Sequence, residues 1–228
     1  TEQHSIKINS EMFIKKLPEL IRKYDHPLSF ASSIPLYFVS ELAAKNKVKV
    51  VLTGEGADEL FAGYRRYYLI QKAININKSF GFLLNNNVSK NIIYKNIQDP
   101  RYIKMLRLAC EGINYDYLTG INCLIGEERD KILKISKTNT LNKKVEEIFK
   151  KQKTNFTNKL LYLDLKTYLV ELLMKQDRMS MAASIESRVP FLDNKVIDFA
   201  NSLPSNFKLN GKIGKFILRQ TTKEILPK

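Results

Sequence analysis

The stretch Val50-Val51-Leu52-Thr53-Gly54-Glu55-Gly56-Ala57-Asp58-Glu59-Leu60-Phe61-Ala62 decides the fold class. With Lys47 and Val48 ahead of it, it begins as a short apolar run rich in β-branched side chains, which predicts a buried strand. The run stops abruptly at Thr53-Gly54, and Gly54 and Gly56 mark a turn. Leu60, Phe61 and Ala62 then open a helix. A strand, a glycine-containing turn and a helix in that order make an α/β unit, with its functional loop at the carboxyl end of the strand.

Upstream, Ser5-Ile6-Lys7-Ile8 alternates and is β-branched, which predicts another strand. Ser10 is a candidate N-cap for a helix carrying Phe13, Ile14, Leu17 and Leu20, with Pro18 delaying or bending it and Asp25-His26-Pro27 ending it. Residues 34–45 predict a helix with Pro35 near its first turn. Downstream, residues 64–175 read as mostly helical: Tyr64 to Ile76, a turn at Asn85-Asn86-Asn87, then Arg101 to Glu111, Glu127 to Ile135, Leu141 to Lys151 and Thr157 to Met174. The last has a broad leucine face that predicts burial. Asp193 or Asn194 caps a helix from Lys195 to Ser202, and Gly214 to Ile225 predicts a final one. The class is therefore α/β, dominated by helix.

A charged fraction of 27% and a hydrophobic fraction of 44% suit an ordinary water-soluble core. No apolar run approaches the roughly 20 residues needed to cross a bilayer, so no membrane partner is expected. The net charge of +15 raises nucleic-acid binding as a class. The basic residues are scattered, with pairs such as Lys15-Lys16 and Lys143-Lys144 the densest groupings, and no aromatic-interleaved RNA motif is present; no nucleic-acid partner is expected. Cys110 and Cys123 make no disulfide framework and read as reduced and structural. His4 and His26 are too few for a zinc site, so no residue is assigned to a metal. A cytoplasmic location follows as the expectation.

Three stretches carry candidate chemistry. In Thr53 to Glu59, glycines let a ligand approach the backbone, and amides at a helix start favour anions. Three carboxylates crowd the same loop, however, and need a cation to balance them. A plain capped turn is the competing reading. In Gly214-Lys215-Phe216-Ile217-Leu218-Arg219, a lysine in a helix's first turn opposes the helix dipole, which suggests an anionic partner; a solvated lysine is the competing reading. The run from Lys175 to Asp193 mixes small residues, methionines and opposite charges, as in a segment packed against a site or a buried charge network holding helices together.

Together, and in this order and spacing, the three stretches resemble the asparagine synthetase family, in the branch whose synthetase domain has the ATP-pyrophosphatase fold (adenine nucleotide alpha hydrolase-like). The resemblance extends over the whole chain and is weakest from about residue 75 to 155. It implies part of a parallel-sheet nucleotide-binding core in residues 1–75 and a helical portion in 76–228, with 175–228 returning to the active-site cleft. It implies a ligase that uses ATP and Mg²⁺ to adenylate the side-chain carboxylate of aspartate, then joins it to ammonia from glutamine, giving asparagine, AMP and pyrophosphate. Thr53 and Gly54 match the family's nucleotide-contacting pair. Glu55 matches the loop glutamate tied to the acyl-adenylate and the amine. Asp58 matches the aspartate that pairs with the catalytic lysine, and Lys215 matches that lysine. Asp177, Arg178, Glu186 and Arg188 are weaker candidates, supporting rather than touching ligand.

The chain departs from the family pattern. The Ser-Gly-Gly-x-Asp-Ser type pyrophosphate loop and the glutaminase domain with its first-residue cysteine are absent, and His26 stands where an acidic residue is common. The expectation is a piece of a longer protein, inactive alone, with an exposed strand edge or apolar face that a homodimer could cover. Two rivals stand beside it: a related amidotransferase or lactam-forming synthetase acting on another carboxylate, and a noncatalytic basic helical binding module.

Overall fold

In a computed structural model of the chain, residues 2–25, 27–28, 30–86, 100–113, 118, 132 and 140–226 are described. The expected helix at 127–135, apart from Ile132, and the residues His26, Asn87 and Cys123 lie outside them. The chain divides into two compact units, Thr1–Gly56 with Leu169–Ile197, and Ala57–Tyr168 with Asp198–Lys228.

The first unit begins with α1 (Ser10–Tyr24) and α2 (Ser33–Lys45). Asn9, not Ser10, caps α1: its side-chain oxygen accepts from the Met12 N–H at 2.8 Å. The helix runs straight through Pro18. Ile14, whose carbonyl the proline leaves without its helical donor, is 67% exposed, so water can replace that bond. Ser5 to Ile8 is not a strand. Ile6 and Ile8 instead pack against Leu20, Tyr24, Ile34, Tyr37, Phe38 and Met179. Even the partial burial of these two side chains contributes on the order of 1 kcal/mol each, and a β-branched preference has no neighbouring strand to satisfy it.

Strand β1 (Val50–Leu52) pairs in parallel with β2 (Glu186–Arg188), in the register Val50–Glu186, Val51–Ser187 and Leu52–Arg188. The strand at 186–188 has no hydrophobic signature and was not expected. It is held by the ladder and by Gln176 of the same unit, whose side-chain amide donates to Ser187 Oγ at 2.8 Å. Val50 is 44% and Leu52 73% exposed, so β1 is not the buried strand its apolar run predicts and instead carries apolar surface in the open, in line with the expected exposed edge or apolar face.

The second unit contains α3 (Ala57–Phe61), α4 (Arg65–Leu84), α5 (Pro100–Glu111), α6 (Thr140–Lys151) and α7 (Phe156–Lys166). The expected single helix from Thr157 to Met174 is two: α7 ends at Thr167, whose backbone leaves the helical region, and α8 (Tyr168–Ala182) follows. After a 3₁₀ turn at Pro190–Leu192 in the first unit come α9 (Asn194–Ser202), α10 (Ser205–Lys208), a short hairpin of β3 (Leu209–Asn210) and β4 (Ile213–Gly214), and α11 (Phe216–Thr221). The core of this unit joins α4, α5, α6 and α7 through Tyr67, Ile70, Leu108, Val145, Phe149, Leu160 and Leu163. Cys110 is buried. The expected boundary at residue 75 falls within α4.

Glu59 and Lys208 are sunk in the second unit, at 1% and 2% exposure. Burial pushes the Glu59 carboxyl up and pulls the Lys208 ammonium down to about 8 from an ordinary 10.5. Between those two lysine values the unfolded chain holds a proton that the folded chain does not. Stability therefore rises with pH across that window, and the penalty is fully present below about pH 8. The expected gain is up to about 3 kcal/mol. Urea unfolding at pH 7 and pH 10.5 should show it as a change in the stability difference between the chain and Lys208→Met; a difference independent of pH would refute it. Glu59 acts oppositely, costing stability as pH rises through its elevated value.

Candidate active site

Strand β1 delivers the acidic turn. The Thr53 N–H extends the ladder by donating to the Arg188 carbonyl at 2.9 Å. Its hydroxyl is buried and has no hydrogen-bond partner among the described residues. A Cβ placed on Gly54 would meet nothing within 4 Å. A buried orphan hydroxyl next to open backbone fits a polar ligand, since an unsatisfied buried group costs about 1–3 kcal/mol.

Glu55 follows in the turn. Its Oε1 lies 3.9 Å from Nζ of Lys175, whose side chain is only 9% exposed. That ammonium also sits 5.5 Å from the centre of the Phe30 ring. The distance is too long for a hydrogen bond and short enough for Coulombic attraction in a screened, partly dry setting. Lys175 was not singled out from sequence. Its signal was present: it falls at helical spacing with Leu172 and Met179, so a cation stands on the buried stripe of α8. The weaker candidates differ. Asp177 and Arg178 are exposed on α8, and Glu186 and Arg188 form an exposed pair at 2.7 Å on β2. The expected buried charge network in 175–193 is therefore confined to Lys175 and its surroundings; the alternating pleat of β2 sends Glu186 and Arg188 outward while Ser187 turns to Gln176.

In the second unit, Asp58 and Lys215 form an ion pair at 3.0 Å, both side chains roughly one-third exposed. Lys215 is not in the first turn of a helix. It precedes α11 in a left-handed conformation, φ 52° and ψ 35°, which costs a residue with a Cβ about 1–2 kcal/mol. Two main-chain bonds enforce that bend: the Lys215 N–H donates to the Phe61 carbonyl at 2.8 Å, and the Arg219 N–H donates back to Lys215 at 2.9 Å. Gly63 N–H closes α3 on the Asp58 carbonyl at 2.9 Å.

Glycines make this approach possible. A Cβ on Gly63 would overlap the Asp58 carboxylate, and a Cβ on Gly214 would collide with the Ala62 carbonyl group and stand 3.2 Å from Gly63 Cα. Gly214→Ala is therefore expected to destabilise the chain by about 1–3 kcal/mol, the usual range for forced overpacking. Thermal or urea unfolding checks it; a loss below about 0.5 kcal/mol, ordinary for a surface change, would show that the hairpin relaxes freely.

Among the described residues, no group of three or more His, Cys, Asp or Glu side chains is placed to hold a metal ion. No helix among the described residues is long and apolar enough to cross a membrane.

Comparison with known proteins meets this geometry. The asparagine synthetase (glutamine-hydrolyzing) 1 of Bacillus subtilis strain 168 is 30% identical over 226 residues, covering 96% of this chain and 35% of that protein. Asparagine synthetase (glutamine-hydrolyzing) 3 of the same organism is 26% identical over 237 residues, covering 100% of this chain and 32% of that protein. The chain thus spans about a third of the length of these curated relatives, at 35% and 32%. The family model described as asparagine synthase matches residues 1–228, so the acidic turn, the Lys175 to Asp193 run and the Lys215 hairpin all lie inside the matched region, and the chain belongs to the asparagine synthase family.

Proposed function

We propose that the chain is a carboxyl-terminal part of a synthetase domain that makes asparagine from aspartate, ATP and ammonia derived from glutamine. The observation that carries the proposal is the Asp58–Lys215 ion pair at 3.0 Å, which orients a lysine that the local backbone alone would not hold. In the proposed reaction an oxygen of the aspartate side-chain carboxylate attacks the α-phosphorus, and the bond to pyrophosphate breaks. Ammonia then attacks the acyl carbon, and the bond to AMP breaks with loss of one proton. Negative charge gathers on the α-phosphate and pyrophosphate oxygens in the first step, where a preorganised cation helps most. Lys215 takes that role and Asp58 aims it.

Thr53 and Gly54 hold the nucleotide in this reading, the orphan hydroxyl and the open backbone supplying contacts. Glu55 accepts the proton from the attacking amine. Lys175 positions Glu55 by Coulombic attraction across 3.9 Å. Within the first unit Lys175 meets Glu55, and within the second Lys215 meets Asp58, which supports the reading that residues 175–228 serve the cleft. The exposed apolar side of β1 supports the larger parallel sheet of the ATP-pyrophosphatase fold as its natural cover, with a second copy of the chain the alternative in its absence. Mg²⁺ would travel with the phosphates, and the setting is cytoplasmic.

Aspartate-dependent ATP–pyrophosphate exchange tests the proposal in a protein of the relatives' full length. Exchange is expected there and not from the 228 residues alone, which lack the pyrophosphate loop. Exchange that another carboxylate supports and aspartate does not would replace the substrate. No exchange with any carboxylate would favour a noncatalytic module.

A further inference from the structure

A cavity of about 300 Å³ in the second unit is lined by Glu59, Thr154, Asn158, Tyr162, Asn201 and Lys208, among others. Thr53, Glu55, Asp58 and Lys215 do not line it. The Lys208 ammonium donates to Asn158 Oδ1 at 3.2 Å, its one protein hydrogen bond among the described residues. No carboxylate of those residues comes within 4.0 Å of it, Glu59 included. An ammonium has three donors, so two remain for whatever fills the cavity. Glu59, 1% exposed, accepts the Tyr64 phenol at 2.7 Å on one oxygen. The wall therefore carries one buried cation and one buried carboxyl that do not neutralise each other.

Such an arrangement selects among ligands. A phosphate would face a single cation and be repelled by Glu59, and a simple amine would be repelled by Lys208. A molecule with a carboxylate at one end and an ammonium at the other satisfies both walls and leaves the net charge of the cavity unchanged. The volume is at the small end of ligand pockets, large enough for an amino acid and too small for a nucleotide. Asn158, Asn201 and Thr154, neutral and polar, also line the cavity.

We propose that this cavity is a binding site for a free α-amino acid, its carboxylate on Lys208 and its ammonium toward Glu59. The site is separate from the residues proposed for amide formation and does not rest on that reading.

The test is NMR of the full chain labelled with ¹³C-lysine, with the Lys208 Cε resonance assigned from Lys208→Arg. L-Alanine, L-asparagine and L-aspartate are titrated, with acetate and methylammonium as half-ligands. At least one amino acid is expected to shift the Lys208 resonance saturably and raise its titration midpoint by about one pH unit or more. Acetate and methylammonium should bind at least about tenfold more weakly. By isothermal titration calorimetry, which needs no Lys208 resonance, Lys208→Met and Glu59→Gln should each weaken amino-acid binding by a similar factor. Acetate binding as tightly as every amino acid would overturn the proposal, as would a water-filled cavity indifferent to all five probes. The wild-type comparison decides the question even where a variant fails to fold. A response that persists in a folded Lys208→Met would equally end it.

Discussion

Lys215→Ala is expected to lower aspartate-dependent ATP–pyrophosphate exchange in the full-length protein by about 10²- to 10³-fold, the loss seen when one preorganised donor is removed from a transition state. The ammonium is tethered at both ends: its backbone by the Phe61 carbonyl and Arg219 N–H, its tip by Asp58 at 3.0 Å. A cation already oriented needs little reorganisation when charge moves onto the departing pyrophosphate. The loss should fall on kcat more than on KM for aspartate, because the interaction grows as charge develops. Asp58→Asn should retain the lysine and lose its aim, giving a smaller loss of the same kind. Unchanged exchange in Lys215→Ala would remove Lys215 from the chemistry. A loss confined to KM for ATP would make it a binding residue only.

Asp164→Ala should cost the second unit about 3–5 kcal/mol, the range for leaving a buried charge without its partner. Asp164 is fully buried and pairs with the Arg66 guanidinium. Arg66 also donates to the Leu118 carbonyl at 3.2 Å and lies 5.2, 4.9 and 5.3 Å from the ring centres of Tyr64, Tyr67 and Tyr168. Burial alone would lower the Arg66 pKa; the Asp164 carboxylate reverses that and raises it. Burial, reinforced by the same carboxylate, holds the Tyr67 phenol neutral. Without Asp164 the guanidinium keeps its charge in a site built for a pair. With a total stability of roughly 5–15 kcal/mol for an ordinary domain, such a loss is close to unfolding. The combined change Arg66→Met with Asp164→Leu should recover most of it, since removing both charges also removes the desolvation cost. Urea unfolding followed by circular dichroism checks both variants. A cost under 1 kcal/mol for Asp164→Ala would show that water reaches Arg66 and the pair is a surface one.

What could be read from sequence was local. The β-branched run at 48–52, the glycines after it and the leucine periodicities near 103–110 and 160–173 are carried by residues within a few positions of one another. Steric preference and amphipathic spacing act at that range, so β1, the acidic turn and most helices could be anticipated. The candidate residues Thr53, Gly54, Glu55, Asp58 and Lys215 were legible for another reason: the motifs holding them are contiguous.

What lay beyond the sequence depended on partners distant along the chain. Nothing within Glu186-Ser187-Arg188 predicts a strand; β1 makes it one. Gly214 and Lys215 looked like the start of a helix, yet the Phe61 carbonyl and the Ala62–Gly63 backbone draw them into a hairpin and a left-handed bend. Thr167 breaks what periodicity draws as one helix. Lys175 and Lys208 are ordinary lysines in the sequence and buried in the fold. A side chain's burial, charge state and partner are properties of the space around it, and that space is assembled from segments whose separation along the chain leaves no mark in their own residues.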